Sequence, residues 1–94
     1  MKVRWTGAAR RDLAAVAEYL QERSPQGARR MIGRIHEAAR LLGEQPRAGK
    51  GGREDGTREL VVSGTPYLLV YEFGGHAVEV LRLLHDAQQW PLEQ

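Results

Sequence analysis

Three side chains in the second half of the chain are of the types that handle phosphates and protons: Arg58, Arg82 and His85. Two guanidinium groups on neighbouring strands make an anion-binding pair if they share a face, and an imidazole beside them can carry a proton. The same arginines can instead pair with nearby acids such as Glu59, Glu79 or Asp86. Other chemistries find less material. Cysteine is absent, and serine occurs only at positions 24 and 63. Ser24 reads as a helix cap before Pro25 and Ser63 as a turn residue, which leaves no serine for a triad. His36, His76 and His85 are far apart, without HExxH or paired cysteines, so no metal centre is expected. The glycine-rich stretch RAGKGGREDGTR fails as a phosphate loop. Lys50 is followed by Gly51 where Ser or Thr is needed, and the stretch runs from helix to strand rather than strand to helix. Its glycines read as turn formers.

The elements that must position these residues follow from periodicity. Lys2 to Trp5 reads as a short strand, with Thr6 as the N-cap of a first helix over Gly7–Arg23. Ala9, Leu13, Val16, Ala17 and Leu20 form its apolar stripe, opposite Arg11, Glu18 and Glu22. Ser24-Pro25 ends that helix and starts the next, Pro25–Leu42. Its stripe is Ala28, Met31, Ile32, Ile35, Ala39 and Leu42, and Gly43 reads as its C-cap. Residues 44 to 57 read as a loop. Arg58 to Val62 reads as a strand, Tyr67 to Phe73 as a central strand, and His76 to Leu84 as the last, with Gly74-Gly75 as a two-residue hairpin turn. The order β-α-α-β-β-β describes an α+β domain, a helical hairpin on one face of a mostly antiparallel four-stranded sheet. Leu13, Leu20, Ile32, Ile35, Leu42, Leu69 and Val80 are expected in the core. The alternation of the central strand leaves open which of its two apolar sets, Tyr67/Leu69/Tyr71/Phe73 or Leu68/Val70, faces the helices. Either way the second face needs cover from the tail, whose anchor is Trp90, or from a partner.

Composition bounds the rest. Ninety-four residues make one small domain, 1–94. No apolar run is long enough to cross a membrane, and MKVRWTGAARRDL lacks a signal-peptide core, so a soluble cytoplasmic protein without cofactor or membrane partner is expected. Charge is uneven. Residues 1–58 carry a net +6 and residues 59–94 a net −4, which points to an acidic or polyanionic partner for the first half. Twelve of the fourteen basic residues are arginine, suited to bidentate contacts with carboxylate or phosphate, although a GC-rich genome also enriches arginine.

Several segments, taken in order, resemble one family. They are WTGAARRDLAAVAEYL, SPQGARR, PRAGKGGREDGTREL, PYLLVYEF and VLRLLHDAQQWP, which span nearly the whole chain. The sequence is similar to the ParE-type toxins of bacterial type II toxin–antitoxin modules, within the RelE/ParE superfamily, also described as plasmid stabilisation proteins. The resemblance implies a β-α-α-β-β-β fold and a cognate antitoxin, ParD-like or related, forming a hetero-oligomer with the toxin. The antitoxin is expected to cover part of the basic helical hairpin and the open sheet or tail region, with Arg29, Arg30, Arg34, Arg40 and Tyr19 as candidate contacts. For ParE proper the implied target is DNA gyrase, trapped in its cleaved complex with DNA. For RelE relatives the implied activity is ribosome-dependent mRNA cleavage, for which Arg58, Arg82 and His85 are the candidate catalytic residues. A non-toxic antitoxin-binding relative and a plain nucleic-acid binder are further readings. The chain lacks the supporting lysines and the C-terminal Tyr of the RelE ribonucleases, and HDAQQWP looks more like a ParE ending. Gyrase inhibition is therefore the favoured reading, with Arg58, Arg82, His85 and Trp90 as target-recognition residues.

Overall fold

A computed structural model describes residues 1–88, Trp90 and Pro91. Residue 89 and residues 92–94, part of the expected tail, lie outside the described residues. The elements are β1 (Lys2–Trp5), α1 (Gly7–Arg23), α2 (Pro25–Glu44), β2 (Lys50–Gly51), β3 (Arg58–Val61), β4 (Tyr67–Gly74) and β5 (Ala77–His85). The sheet order is β1-β5-β4-β3-β2. β1 runs parallel to β5, and every other pair is antiparallel. No described helix is long and apolar enough to cross a membrane.

The helix boundaries follow from caps. The Thr6 hydroxyl accepts from the Ala9 amide, and the Ser24 hydroxyl accepts from the Gly27 amide. Ser24 also closes α1 by donating its backbone N–H to Leu20. Gly43 is not a cap. α2 continues to Glu44 and is capped at Gln45. The glycine instead allows close approach, since a Cβ at 43 would lie 2.6 Å from the Met1 carbonyl.

Four strands were expected and five form. The extra strand, β2, lies in the stretch read as loop, and two residues without alternating apolar side chains give no periodic signal. Its pairing is enforced by tertiary contacts. The Tyr71 hydroxyl accepts from the Gly49 amide at 2.9 Å and donates to the Pro46 carbonyl at 2.7 Å. Arg58 Nη2 donates to the carbonyls of Gly49 and Arg47. The hairpin turn also moves by one residue. Gly74 pairs with Ala77, so Gly75 and His76 make the turn, and Gly75 has φ +58°.

β4 is buried on both faces. Tyr67, Leu69 and Tyr71 join Ile35, Ala39, Leu42, Val78, Val80 and Leu83 beneath the helices. Leu13, Leu20 and Ile32 are only partly buried and pack around this core. Leu68, Val70 and Leu84 form a second cluster on the outer face, covered by Trp90.

β4 and β5 pair regularly on either side of a bulge at Val70/Tyr71. Val70 opposes Arg82 and Tyr71 opposes Val80, so Leu81 is the extra residue. The bulge resets the alternation. Val80 points to the helices, whereas Arg82 shares the outer-face register with Val70 and Leu84.

The loop after β2 is held by a second device. Glu59, at 6% exposure, lies on the outer face opposite Val70. It accepts from the Arg53 backbone amide and from Arg53 Nε and Nη2 at about 3.0 Å. The Arg53 hydrogen bond is the main cause holding the Glu59 carboxyl below the usual carboxylate range.

Three outcomes follow. Gly49→Ala would place a Cβ 2.6 Å from the Glu59 carbonyl and 2.8 Å from the Tyr71 hydroxyl, and is expected to cost about 1–3 kcal/mol in urea unfolding. Gly33→Ala on α2 meets nothing within 4 Å and should instead stabilise by about 1 kcal/mol. Because the folded pKa of Glu59 is depressed, its contribution is present above the unfolded value of about 4.3 and fades as pH falls through the folded value. Arg53→Ala should therefore lower stability at pH 7, and the gap from wild type should narrow as the pH is lowered below about 4 in thermal melts.

Candidate functional site

Arg58 and Arg82 do not form a pair. Arg58 opposes Tyr71 and belongs to the helix-side register, whereas Arg82 opposes Val70 on the outer side. Each is committed elsewhere. Arg58 clamps the carbonyls of Arg47 and Gly49, and its Nε is buried with no partner among the described residues. Neither arginine pairs with Glu59, Glu79 or Asp86. Glu59 belongs to Arg53, and Glu79 lies 3.9 Å from Arg4.

Arg82 makes a bidentate contact with Asp12 of α1, Nε to Oδ2 at 2.7 Å and Nη2 to Oδ1 at 3.0 Å. Asp12 Oδ2 also accepts from the Leu83 amide at 3.0 Å. The Asp12 contact is the main cause raising the Arg82 pKa, so the guanidinium is charged at any relevant pH. β1 reaches along β5 only to Val80, and α1 completes the edge beyond it. The Thr6 amide donates to the Val80 carbonyl, the Thr6 hydroxyl to the Leu81 carbonyl, and Asp12 receives the Leu83 N–H. Asp12 was not singled out in the sequence. A signal existed: it sits three residues after Ala9 and four before Val16, on the side of α1 that carries the apolar stripe, where a carboxylate needs a partner.

His85 ends β5. Its Nδ1 accepts from the Ala87 amide at 3.1 Å and lies 3.2 Å from Asp86 Oδ1, which leaves Nε2 as its open nitrogen. The imidazole meets the Tyr67 ring edge-on, with centroids 5.5 Å apart. Tyr67 has its pKa raised, first by burial and then by Tyr19. Trp90 lies against Leu68, Val70 and Leu84, with the Arg82 guanidinium 5.6 Å from its ring centroid. Arg82 and Trp90 thus meet on the outer face near the end of β5, His85 opposes Tyr67 on the helix-side register, and Arg58 sits apart on β3. No group of three metal-ligating side chains occurs among the described residues.

The helical hairpin offers a different surface. A shallow furrow follows one flank of α2. Ala17, Gln21, Ala28, Arg29, Ile32 and Gly33 line one end, and Val3, Trp5, Ala39 and Arg40 the other, with His36 common to both. The first end is mostly apolar and the second mixed. Arg29 and Arg30 are exposed and have no ion-pair partner among the described residues. Arg34 leans toward the Ser63 carbonyl at 3.4 Å. Arg40 is paired with Glu37 and Glu44, so its charge is largely compensated. Tyr19 is 52% exposed, and its ring is covered by the Arg23 guanidinium at 3.5 Å.

A family model described as the ParE toxin of type II toxin–antitoxin system, parDE, matches residues 3–90. A Sinorhizobium fredii protein named "Putative toxin Y4kP" is 39% identical over 90 residues, covering 96% of this chain and 93% of that protein. Toxin RelE2 of Caulobacter vibrioides is 37% identical over 87 residues, covering 93% and 97%. Among solved structures, a chain of the chromosomal ParDE system from P. aeruginosa superposes with TM-score 0.81 over 90% of this chain and 95% of that one, and its 24% identity makes this a likeness of fold. A chain of the RelBE2 toxin–antitoxin complex of Mycobacterium tuberculosis gives TM-score 0.67 at 32% identity, covering 89% and 95%. Matched over residues 3–90 by the family model and nearly end to end by two toxins, the chain belongs to the ParE toxin family of type II toxin–antitoxin systems, within the RelE/ParE superfamily.

Proposed function

We propose that this toxin arrests growth by binding DNA gyrase and stabilising its cleaved complex with DNA, and that a cognate antitoxin neutralises it. The observation that carries this reading is the separation of Arg58 from Arg82. Phosphodiester cleavage by a ribonuclease needs a positioned base, a group to protonate the leaving oxygen, and charge gathered around the phosphorane-like state. Here the two arginines lie on opposite faces, one tied to loop carbonyls and the other to a carboxylate. His85 opposes Tyr67 on the other face from Arg82, and Arg58, which shares that face, opposes Tyr71 four residues along β4. A gyrase poison needs none of this, because gyrase itself cuts the DNA and the toxin supplies complementary shape and charge. Arg82 and Trp90 are of the types that dominate interface hot spots. In this reading Arg58 acts indirectly, by holding the 45–51 loop.

The alternative, an mRNA interferase acting at the ribosome, draws on one observation. His85 Nε2 is open while its Nδ1 is held by the Ala87 amide, the arrangement of a histidine poised to exchange a proton. The relative named RelE2 is consistent with that alternative.

The antitoxin is expected in the furrow along α2. An acidic segment with small apolar side chains matches the apolar lining of Ala17, Ala28 and Ile32 with Arg29 beside it, whereas Arg30 and Arg34 project from another side of α2. Arg40, neutralised by its own helix, contributes least to this attraction.

Purified protein tested in parallel on gyrase and on translating ribosomes separates the readings. Cleaved gyrase–DNA complex should accumulate, mRNA should stay intact, and His85→Ala should keep its growth arrest. Cleavage of mRNA at the ribosome that His85→Ala abolishes, with gyrase unaffected, would establish the alternative. Cognate antitoxin at a hundredfold excess over Kd should stabilise the domain by about 2.7 kcal/mol, raising Tm by on the order of 10 °C. Gly33→Phe, which projects into the furrow from an open helix position, should weaken that binding on the order of tenfold without abolishing toxicity. An unchanged affinity would place the antitoxin elsewhere.

A further inference from the structure

We propose that Asp12 is a positioning residue for the recognition tail: by clamping Arg82 it fixes the cation against which Trp90 docks. The inference rests on the reading that the end of β5 and the tail contact the target.

The contacts form a chain from the hairpin to the outer face. Asp12 projects from α1 and takes both edge donors of Arg82, at 2.7 and 3.0 Å. A bidentate contact fixes the plane of a guanidinium as well as its position. Its third anchor, the Leu83 amide, ties Asp12 to the strand rather than to a mobile side chain. The bulge at Leu81 is what gives Arg82 its outer-face register, next to the cluster that Trp90 covers. With its edge occupied by the carboxylate, the guanidinium has its faces left for an aromatic ring, and its Cζ lies 5.6 Å from the Trp90 centroid.

Trp90 depends on this arrangement because little else orients it. Its indole N–H is buried and finds no acceptor among the described residues. Burial on Leu68, Val70 and Leu84 favours contact but does not set an angle, since apolar attraction has no direction. The directional contact is the one with Arg82. Asp12 therefore acts through Arg82, and its hydrogen bonds among the described residues go to Arg82 and Leu83.

The test isolates Trp90 in a Trp5→Phe background and reads three quantities: emission maximum, acrylamide quenching, and growth arrest. Asp12→Asn should red-shift the Trp90 emission, raise its quenching several-fold and weaken growth arrest, with antitoxin affinity retained. If Asp12→Asn is too unstable to purify, Arg82→Gln, which leaves Asp12 bonded to the Leu83 amide, carries the same expectation. A charge exchange separates positioning from simple stabilisation. Asp12→Arg with Arg82→Asp restores an ion pair between α1 and β5 but leaves no cation on the strand beside Trp90. The exchanged protein should recover part of its thermal stability, the Leu83 amide having lost its acceptor, while Trp90 stays exposed and growth arrest stays weak. Recovery of Trp90 burial and of growth arrest together with stability would overturn the proposal. So would Asp12→Asn with unchanged emission. The fluorescence outcomes are read on the toxin alone. A failure of the gyrase reading appears instead as a wild-type protein inert toward gyrase.

Discussion

β4 is apolar on both of its faces, and the fold covers only one of them with helices. This single strand sets the demands that the rest of the structure meets. On the inner side Tyr67, Leu69 and Tyr71 are closed by α1 and α2, which are long, capped at both ends and joined through one shared residue, Ser24. On the outer side Leu68, Val70 and Leu84 have no layer above them. Burying even half of an indole there removes about 100 Å² of apolar surface from water, worth about 2.5 kcal/mol. In a domain of this size that is a sizeable part of the total stability. Trp90 is thus a structural cover of the outer face.

Charge on this molecule is arranged to hold irregular chain in place as well as to meet partners. The 45–51 loop is fixed through Tyr71 and Arg58, the 52–57 loop through Arg53 and Glu59, and the open edge of β5 through Thr6 and Asp12. In each case a backbone group that lacks a sheet partner is satisfied by a side chain from a neighbouring element. Arginines engaged in this way are poor candidates for gathering around a phosphate. Exposed arginines without an ion-pair partner among the described residues include Arg10 and Arg11 on α1 and Arg29 and Arg30 on α2.

Much of the fold was legible because it is written in local signals. Thr6, Ser24 and Pro25 mark helix starts, and their spacing returns the two helices to within two residues at every boundary. The three longer C-terminal strands follow from β-formers between glycines. What was not legible depends on contacts between distant residues. β2 exists because Tyr71 and Arg58, from other strands, hold residues 46–49 against β3. Gly43 looked like a cap because its close approach to Met1 is invisible in one dimension. The bulge at Leu81 had the largest consequence for the site. Strict alternation from Val80 puts Arg82 on the helix side, in the same register as Arg58. One inserted residue moves it to the opposite face and separates the pair that sequence reasoning had considered. Trp90 was recognisable as an anchor, but which set of β4 it covers required the register.

The central claim is that the end of β5 and Trp90 form a recognition surface for gyrase rather than a centre for cutting RNA. Hydrogen exchange on the toxin, with gyrase and then with translating ribosomes, tests it most directly. The account predicts that gyrase protects amides in residues 82–91 and that ribosomes leave them unchanged. Protection of that segment by ribosomes, with none from gyrase, would contradict it.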